Sequence, residues 1–553
     1  MARRSIRLSV ALAALVVLAG AGWLSSLQAQ APADFPSKVD TIFARWDSTA
    51  TPGCSVGVSD QDRIVLERAY GMADLEHLAA NRPDTIFEAG SVSKQFTAAA
   101  VLLLAQEGRL SLDDQARKYL PELRDYGVSL TVRNLLQHTS GLRDWGNLAG
   151  MAGWPRTTRV HTHAHVLDIV SRQRALNFEP GTDWSYSNTG YNLAVIIVSR
   201  VAGEPFAEFT RKRLFEPLGM TRTSWRDDYR RTVQGRATAY SDRRGEFSLN
   251  MPFENVHGNG GLLTTAGDLL RWNANFATMK VGGAAFVKLQ QTPGTFKDGG
   301  GFDYGYGLFI REFRGLRNIE HSGSTAGYRA HLLRLPDAGL SVSVLCNVSS
   351  GNATQYAYAV AEAYLGDRLK PEPRPTAVEL SAAVLKARTG VYRSLKTGEP
   401  LQVTLDGKAL RVGNGQALPT SATTFRMGGT DVTFEGEGET PSPRLRFANA
   451  NGTREEFERV EPAKPDRAAL DAYVGTYWSD DVEVSLGVAV ENDALVVMRR
   501  PDMKGPLTPA YADAFDSPLG FVRFRRDAGG KVVALSLGDG RAWDVRFERT
   551  GGR

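Results

Sequence analysis

The 553-residue chain has little of what marks several classes of protein. Its two cysteines are too few for a disulfide-built scaffold, and they lack the spacing of a structural zinc site. It has no Lys/Arg-rich run and no basic–aromatic array, which argues against nucleic acid as a partner. With 42% hydrophobic and 23% charged residues, the chain can bury a core, so bulk disorder is not expected. At roughly 100–200 residues per domain, about three domains are expected.

The long hydrophobic run lies at the start of the chain. A positively charged segment, residues 3–7, precedes a mostly apolar stretch, residues 8–27, and small residues follow at 29–31. This three-part pattern is typical of a secretory signal, so residues 1–31 are predicted to be a signal peptide of a periplasmic or secreted protein. The alternative is an uncleaved membrane anchor, because the apolar stretch approaches the length that spans a bilayer.

The next region reads as an α+β domain over residues 32–367. Two β-rich runs near its start, residues 54–59 and 63–70, predict a hairpin. A long helical section follows. Further strands are then predicted at residues 304–313, 317–324, 329–335 and 340–347, with a closing helix at 354–365. We expect the first strands to join the later ones in one antiparallel sheet flanked by helices.

A proline-rich segment, residues 371–375, predicts a stiff linker, and a repeat follows it. The first copy has Leu385, Gly390, Tyr392, Leu410 and Val412, and the second has Leu470, Gly475, Tyr477, Leu495 and Val497. A single offset of 85 residues relates all five pairs. We therefore predict two homologous all-β modules, small antiparallel barrels, at residues 376–463 and 464–553.

The first candidate for chemistry is Ser91-Val92-Ser93-Lys94, at the start of an apolar helix predicted over residues 91–107. Three residues make nearly one helical turn, so the Lys94 amine comes beside the Ser91 hydroxyl. An unprotonated lysine in a dry site can activate a serine. The helix start also offers a backbone N–H and a positive dipole end to a developing oxyanion. A chain of this size contains about one such spacing by chance, so the motif is weak alone.

The second candidate is Tyr186-Ser187-Asn188, in a loop before an apolar helix at residues 191–201. Residues two apart in extended chain point to the same side, so a phenol and a carboxamide can face one pocket. Tyr186 can relay a proton, and Asn188 can bind an amide carbonyl. The alternative is an ordinary helix start capped by Asn188.

The third candidate is His321-Ser322-Gly323, on a predicted strand. A glycine within a strand often marks close approach of another backbone, and an extended substrate can dock along such an edge. The alternative is a bulge with a surface histidine.

These motifs, in this order on a helix start, a loop and a strand, resemble those of the serine β-lactamase and penicillin-binding-protein family. Its pattern is Ser-x-x-Lys, Tyr-x-Asn and Lys/His-x-Gly. Segments at residues 136–142, 260–266 and 304–307 also match, so the resemblance covers residues 36–366. The two C-terminal modules resemble the paired barrels of bacterial D-aminopeptidases.

The resemblance implies a serine hydrolase that forms an acyl-enzyme on D-residue peptides or amides, or on small esters. It implies Ser91 as nucleophile, Lys94 and Tyr186 as general base and acid, and Asn188 as a substrate-binding residue. His321 and Gly323 would line the substrate, and Ser324 would share the oxyanion hole with Ser91 through backbone N–H groups. His321 stands where β-lactamases have a lysine, and histidine is mostly neutral near pH 7, which puts efficient penicillin hydrolysis in doubt.

The resemblance also places the strands that carry Cys54 and Cys346 side by side. An exported protein permits a bridge between them. We favour the other interpretation, two free cysteines acting as small core residues, because buried free cysteine is common.

Other functions stay open at this point: β-lactamase or D,D-carboxypeptidase activity, a non-catalytic cell-wall or peptide-binding protein, and a binding role for the C-terminal modules. We expect a small-molecule or peptide substrate, no cofactor and no metal. The alternating His161, His163 and His165 have no acidic or cysteine ligand beside them, so they are interpreted as a polar helix start rather than a metal site.

Overall fold

The computed structural model describes residues 32–371, 376–449 and 452–550. The predicted signal peptide, residues 1–31, lies outside the described residues. In the part of the chain that is described, no helix combines the length and the apolar character that a membrane crossing requires.

A six-stranded antiparallel sheet forms the centre of the first domain. Across the sheet the strands are Phe309–Phe313, Leu316–Thr325, Tyr328–Leu335, Leu340–Cys346, Cys54–Asp60 and Arg63–Tyr70. The first hairpin therefore joins the later strands, as predicted. The first of the later strands begins at Phe309 and not at residue 304, because Gly307 has a φ of +80° and lies against the backbone of Gln95.

The cysteines are bonded to each other, so the preference for two free cysteines was wrong. Cys54 in the strand Cys54–Asp60 lies directly opposite Cys346 in the strand Leu340–Cys346. A disulfide joins them, with an S–S distance of 2.07 Å. Both side chains belong to the core beneath one face of the sheet. The register decides the pairing, because a shift of one residue would send the two side chains to opposite faces.

Helices cover both faces of the sheet. Phe35–Phe43 and Ala353–Leu365 pack on one face, around a core that includes Val56, Val344 and Tyr364. Ala266–Thr278 packs on the other face against the strands Cys54–Asp60 and Leu340–Cys346. The first helix after the hairpin, Lys94–Gln106, is buried along most of its length and packs against Asn188–Ala202.

A helical subdomain fills the middle of this domain. Its further helices are Val132–Leu136, Trp145–Met151, His163–Ser171, Phe206–Thr210, Arg211–Phe215, Glu216–Leu218 and Gly283–Gln290. Short strands connect these parts: Met72–Asp74, Ala79–Ala80, Phe87–Glu88, Ser224–Trp225, Tyr240–Arg243, Glu246–Leu249, Leu262–Thr264, Gly294–Thr295 and Gly301–Phe302.

Two closed eight-stranded barrels follow, after a short helix, Ala382–Arg388, and with a second one, Arg467–Asp471, between them. The first barrel has the strands Gly390–Ser394, Pro400–Asp406, Ala409–Val412, Gly415–Pro419, Thr424–Met427, Thr430–Phe434, Arg444–Ala448 and Arg454–Val460. The second has Gly475–Ser479, Val484–Glu491, Ala494–Arg499, Met503–Tyr511, Ala514–Ser517, Gly520–Arg526, Val532–Asp539 and Ala542–Thr550. The predicted α+β domain followed by two all-β barrels is confirmed.

The repeated residues occupy equivalent places in the two barrels. Tyr392 is buried and its hydroxyl donates to the Arg388 carbonyl at 2.9 Å. Tyr477, 85 positions later, is buried in the same way, and its hydroxyl donates to the Tyr473 carbonyl at 2.7 Å. The sequence repeat therefore reflects a repeated contact between the first strand of each barrel and the segment just before that strand.

The second barrel docks on the helical subdomain through buried polar and apolar contacts. Arg143 forms a buried ion pair with Asp481 at 2.8 Å, and its guanidinium also donates to the carbonyls of Trp543 and Asp544, both at 3.0 Å. Leu148 packs into the apolar core of the barrel. Breaking a buried ion pair by removing one partner costs several kcal/mol, typically about 3–5, so this contact holds the barrel in one place.

Candidate active site

The site is built where the helix Lys94–Gln106 begins. A 3-10 turn, Gly90–Ser93, precedes the helix and brings Lys94 Nζ to 3.1 Å from Ser91 Oγ. The Lys94 side chain is fully buried. Burial, assisted by the positive charge of Arg541, holds the pKa of the Lys94 amine well below its usual value. Burial therefore favours the neutral amine, which is the state a general base requires.

The hydrogen bonds of Lys94 fix the direction of the bond to Ser91. Lys94 Nζ lies 2.9 Å from Asn188 Oδ1 and 2.7 Å from the Asn259 carbonyl oxygen. Both oxygens only accept, so they take the two N–H groups of a neutral amine. The lone pair of Lys94 Nζ is left for Ser91, whose O–H donates to it. Asn188 and Asn259 thus orient the lysine as an acceptor of the serine proton.

The Tyr186 loop closes over this pair. The Tyr186 hydroxyl lies close to the Ser91 side chain, and burial raises the pKa of the phenol, so it is protonated near neutral pH. Lys94 Nζ lies 4.7 Å from the centroid of the Tyr186 ring. Asn188 is the first residue of the helix Asn188–Ala202 and not its cap, because Ser187 holds the cap position. Its side chain faces Lys94 instead.

His138 supports this loop from behind. Its ring Nδ1 accepts a hydrogen bond of 3.1 Å from the Ser187 backbone N–H, and its ring centroid lies 4.3 Å from that of Tyr186. Burial holds the pKa of His138 well below its usual value, so the ring stays neutral and keeps Nδ1 free to accept. Asp144 fixes Asn188, the residue after Ser187, because Asp144 Oδ2 accepts a hydrogen bond of 2.7 Å from the Asn188 N–H.

The backbone of the strand Leu316–Thr325 lies in close contact with the backbone of the turn that carries Ser91. A Cβ added at Gly323 would lie 2.0 Å from the Ala89 carbonyl oxygen and 3.1 Å from the Ser91 nitrogen. A Cβ at Gly90, whose φ is +50°, would lie 2.6 Å from the Ser324 nitrogen. Two glycines are therefore required at this crossing, which brings the backbone nitrogens of Ser91 and Ser324 to the same side of one cavity.

His321 lies beside the cavity and is buried, so the interpretation as a surface histidine is excluded. Its Nε2 is 3.2 Å from the Tyr304 hydroxyl. Burial, together with the nearby Lys94, lowers the pKa of His321 to about 3, so the ring is neutral at pH 7. The strand therefore carries no fixed positive charge at the position where a lysine is expected in β-lactamases.

The structure brings all seven predicted residues to one place. Ser91, Tyr186, Asn188, His321 and Ser324 line a cavity of about 390 Å³. Lys94 lies directly beneath Ser91, and Gly323 forms the backbone crossing behind it.

Several other residues that line the cavity were not predicted as site residues, among them Asn259, Arg156 and Arg541. Asn259 comes directly before the segment 260–266, which is part of the family resemblance, so this motif could have pointed to Asn259. No sequence motif pointed to Arg156 or Arg541. Arg156 lies in a loop of the helical subdomain, and Arg541 lies in the second barrel.

The three alternating histidines form hydrogen bonds with backbone groups of nearby helices and loops. His161 Nε2 is 2.9 Å from the Trp154 carbonyl oxygen, and His163 Nε2 is 3.0 Å from that of His257. His165 contacts the N-cap residue Thr162. Within the described ranges, no group of three or more His, Cys, Asp or Glu side chains is placed to hold a metal ion.

The comparisons with known proteins agree with this geometry. A helix-flanked antiparallel sheet with a half-buried serine beside a buried lysine at a helix start defines a serine hydrolase. The beta-lactamase family model matches residues 39–365, which is more than half of the chain. The chain belongs to the beta-lactamase family.

Relatives extend the likeness to the C-terminal barrels. A D-aminopeptidase of Brucella anthropi is 27% identical over 519 residues, covering 90% of this chain and 95% of the relative. The octameric penicillin-binding protein homologue from Pyrococcus abyssi matches with a TM-score of 0.55 at 23% identity, over 84% of this chain and 98% of the other. A D-amino acid amidase from Ochrobactrum anthropi SV3 matches with a TM-score of 0.51 at 22% identity, over 61% and 99%. The two structural matches show the shared fold.

Proposed function

We propose that this protein hydrolyses amide or ester bonds through an acyl-enzyme on Ser91, with D-residue peptides, D-amino acid amides or small esters as substrates. The observation that carries the proposal is the buried Lys94 amine, 3.1 Å from Ser91 Oγ and hydrogen-bonded to Asn188 and Asn259, where burial favours its neutral form. A serine beside a neutral base can lose its proton as it attacks.

Acylation uses groups already in place. Ser91 Oγ attacks the substrate carbonyl carbon while its proton passes to Lys94 Nζ. The carbonyl oxygen becomes an oxyanion, which the backbone N–H groups of Ser91 and Ser324 stabilise. The Tyr186 phenol, which lies beside Ser91, donates a proton to the leaving amine or alkoxide as the bond between that group and the carbonyl carbon breaks, and Lys94 reprotonates the phenol. The acyl group is then held as an ester on Ser91.

Deacylation reverses these roles with water. A water molecule loses a proton to the Tyr186–Lys94 pair as its oxygen attacks the ester carbonyl, and the same two N–H groups hold the oxyanion. Collapse of this intermediate breaks the bond to Ser91 Oγ, which regains a proton from Lys94. One water is consumed, and the products are the acid and the free amine or alcohol.

Two observations support the substrate class. The D-aminopeptidase relative aligns along almost its whole length, barrels included. His321 is also neutral, so the strand Leu316–Thr325 offers no fixed charge at the position from which β-lactamases hold a penicillin carboxylate. Export is part of the proposal as well: the charged, apolar and small-residue segments within residues 1–31 suggest a periplasmic or secreted enzyme.

The test is turnover by the full chain of 4-nitrophenyl acetate and of D-alanine 4-nitroanilides with free and acylated amino groups. The L enantiomers serve as matched controls. We expect ester hydrolysis, turnover of at least one D-anilide, and a D over L preference. Equal rates for both enantiomers would contradict the D-residue assignment, and activity that survives Ser91→Ala would contradict the acyl-enzyme.

A further inference from the structure

A turn of the second barrel enters the cavity beside Ser91. The strands Val532–Asp539 and Ala542–Thr550 are paired with Asp539 opposite Ala542, so residues 540 and 541 form the turn between them. Arg541 lines the cavity. Its guanidinium carbon lies 4.6 Å from the centroid of the Tyr186 ring. The barrel thus supplies a charged side chain next to the proposed proton relay.

The turn is held in place by the helical subdomain. The Arg541 carbonyl accepts from Asn177 Nδ2 at 2.9 Å and from the Asp144 N–H at 3.2 Å. Asn177 Oδ1 in turn accepts from the Trp543 N–H at 2.9 Å. Asp144 also accepts from the Asn188 N–H, so one residue positions both the barrel turn and the Asn188 end of the site. Arg541 therefore has a fixed place in the cavity wall.

The two arginines in the cavity wall differ in whether they have an ion-pair partner. Arg156, the other arginine in its wall, forms a two-pronged ion pair with Glu254, one arm of which is 2.9 Å. Burial favours the neutral form of Lys94, and His321 is neutral near pH 7. No aspartate or glutamate is among the described lining residues, and Arg541 forms no ion pair with the described carboxylates. The buried Asp144 carboxylate lies behind the wall, where its Oδ2 accepts from the Asn188 N–H, so the wall itself presents one guanidinium without an ion pair next to Tyr186.

We propose that Arg541 is a specificity residue: it makes this site prefer a substrate that carries a carboxylate near the scissile bond, and disfavour one that carries a free ammonium there. A guanidinium binds a carboxylate through two parallel N–H···O bonds, which favours this anion over a neutral group. An ammonium at the same place meets a like charge without a carboxylate to hold it. The inference rests on the proposed function and names its substrate class more narrowly.

The experiment measures preference, not basal rate. On the acyl side, three derivatives of D-alanine 4-nitroanilide are compared. The N-succinyl derivative is an anion, the N-acetyl derivative is neutral, and the derivative with a free amino group is a cation. On the leaving side, 3-carboxyphenyl acetate is compared with phenyl acetate. Each kcat/KM is divided by that of the neutral compound in its series, which cancels differences in the active fraction. The full chain is compared with Arg541→Gln, Arg541→Glu and the control Arg546→Gln, an exposed arginine of the same barrel that pairs with Glu548.

We expect the ratio of anion to neutral to exceed one in the unmodified protein and to fall about 10- to 100-fold in Arg541→Gln in at least one series, since hydrogen bonds to charged groups are among the stronger ones. Arg541→Glu raises the ratio of cation to neutral. Arg546→Gln leaves every ratio within about twofold. Ratios in both Arg541 variants that match the unmodified protein in both series would overturn the inference.

Failure of the proposed function can be distinguished from failure of the Arg541 inference. If no compound is turned over, the hydrolase proposal fails, and the Arg541 inference is decided by binding. Thermal unfolding is then measured with N-acetyl-D-alanine and with its neutral methylamide. A rise in Tm with the carboxylate alone, present in the unmodified protein and absent in Arg541→Gln, supports the inference. Equal shifts in the two proteins overturn it.

Discussion

Replacing Lys94 with methionine separates the chemical role of the amine from its packing. Methionine has similar length and fills the same buried space, but it cannot accept the Ser91 proton. General-base assistance is worth roughly 10²- to 10⁴-fold, so we expect kcat/KM for an ester to fall by at least about 100-fold. Lys94→Arg should be as inactive, because a guanidinium stays protonated and cannot act as the base.

Stability gives an independent measure of the same amine. Burial lowers the pKa of Lys94 in the folded state below its value of 10.5 in the unfolded chain. Between these two pKa values the unfolded state binds a proton that the folded state does not, so the lysine destabilises the fold there, and this cost shrinks as pH rises. Lys94→Met abolishes the cost. Its free energy of unfolding minus that of the unmodified protein should therefore fall by about 1.4 kcal/mol per pH unit as pH rises from the lowered pKa toward 10.5.

Two assays measure the loss of the base and the change in stability. The rate of Ser91 labelling by a fluorophosphonate reports nucleophilicity without a chosen substrate, and urea unfolding at several pH values gives the stability difference. A Lys94→Met protein that keeps more than a tenth of the labelling rate would refute the role of Lys94 as base. A stability difference that does not vary with pH would refute the neutral state of the buried amine.

Three further changes test other parts of the site. Tyr186→Phe should lower kcat on an amide roughly 10²- to 10⁴-fold because the proton relay is lost, and an unchanged kcat would reduce Tyr186 to packing. The unmodified protein should hydrolyse nitrocefin slowly, and His321→Lys should lower its KM by restoring a positive charge; fast turnover by the unmodified protein would contradict this. Gly323→Ala should abolish activity and lower Tm, because the new Cβ meets the Ala89 oxygen at 2.0 Å, whereas Gly150→Ala, with open space at its Cβ, should do neither. Equal Tm and activity in these two variants would contradict the close backbone crossing.

Much of this architecture follows from local patterns. The strand runs and the closing helix were predictable because alternation and apolar periodicity are local properties, and the observed ends differ by only a few residues. The helix after Ser91 was predicted as well, although its first turn is 3-10 and Ser91 lies before Lys94–Gln106. The paired barrels were predictable because the two copies keep one spacing, which reflects contacts such as those of Tyr392 and Tyr477.

What the sequence did not reveal depends on register and docking. Whether Cys54 and Cys346 face each other depends on a one-residue register, which no local pattern encodes. Arg541 enters the cavity only because the second barrel docks through Arg143 and Asp481, both far from it along the chain. Contacts between domains leave no periodic signal, so sequence reasoning misses a residue such as Arg541 that another domain supplies.

The most direct test of the central claim is mass spectrometry of the intact protein and its peptides after reaction with a fluorophosphonate and, separately, with a slowly hydrolysed 4-nitrophenyl ester. The account predicts one added phosphonyl or acyl group, mapped to Ser91, and none in Ser91→Ala at the same time and concentration. A group attached to another residue, or labelling of Ser91→Ala at the rate of the unmodified protein, would contradict it.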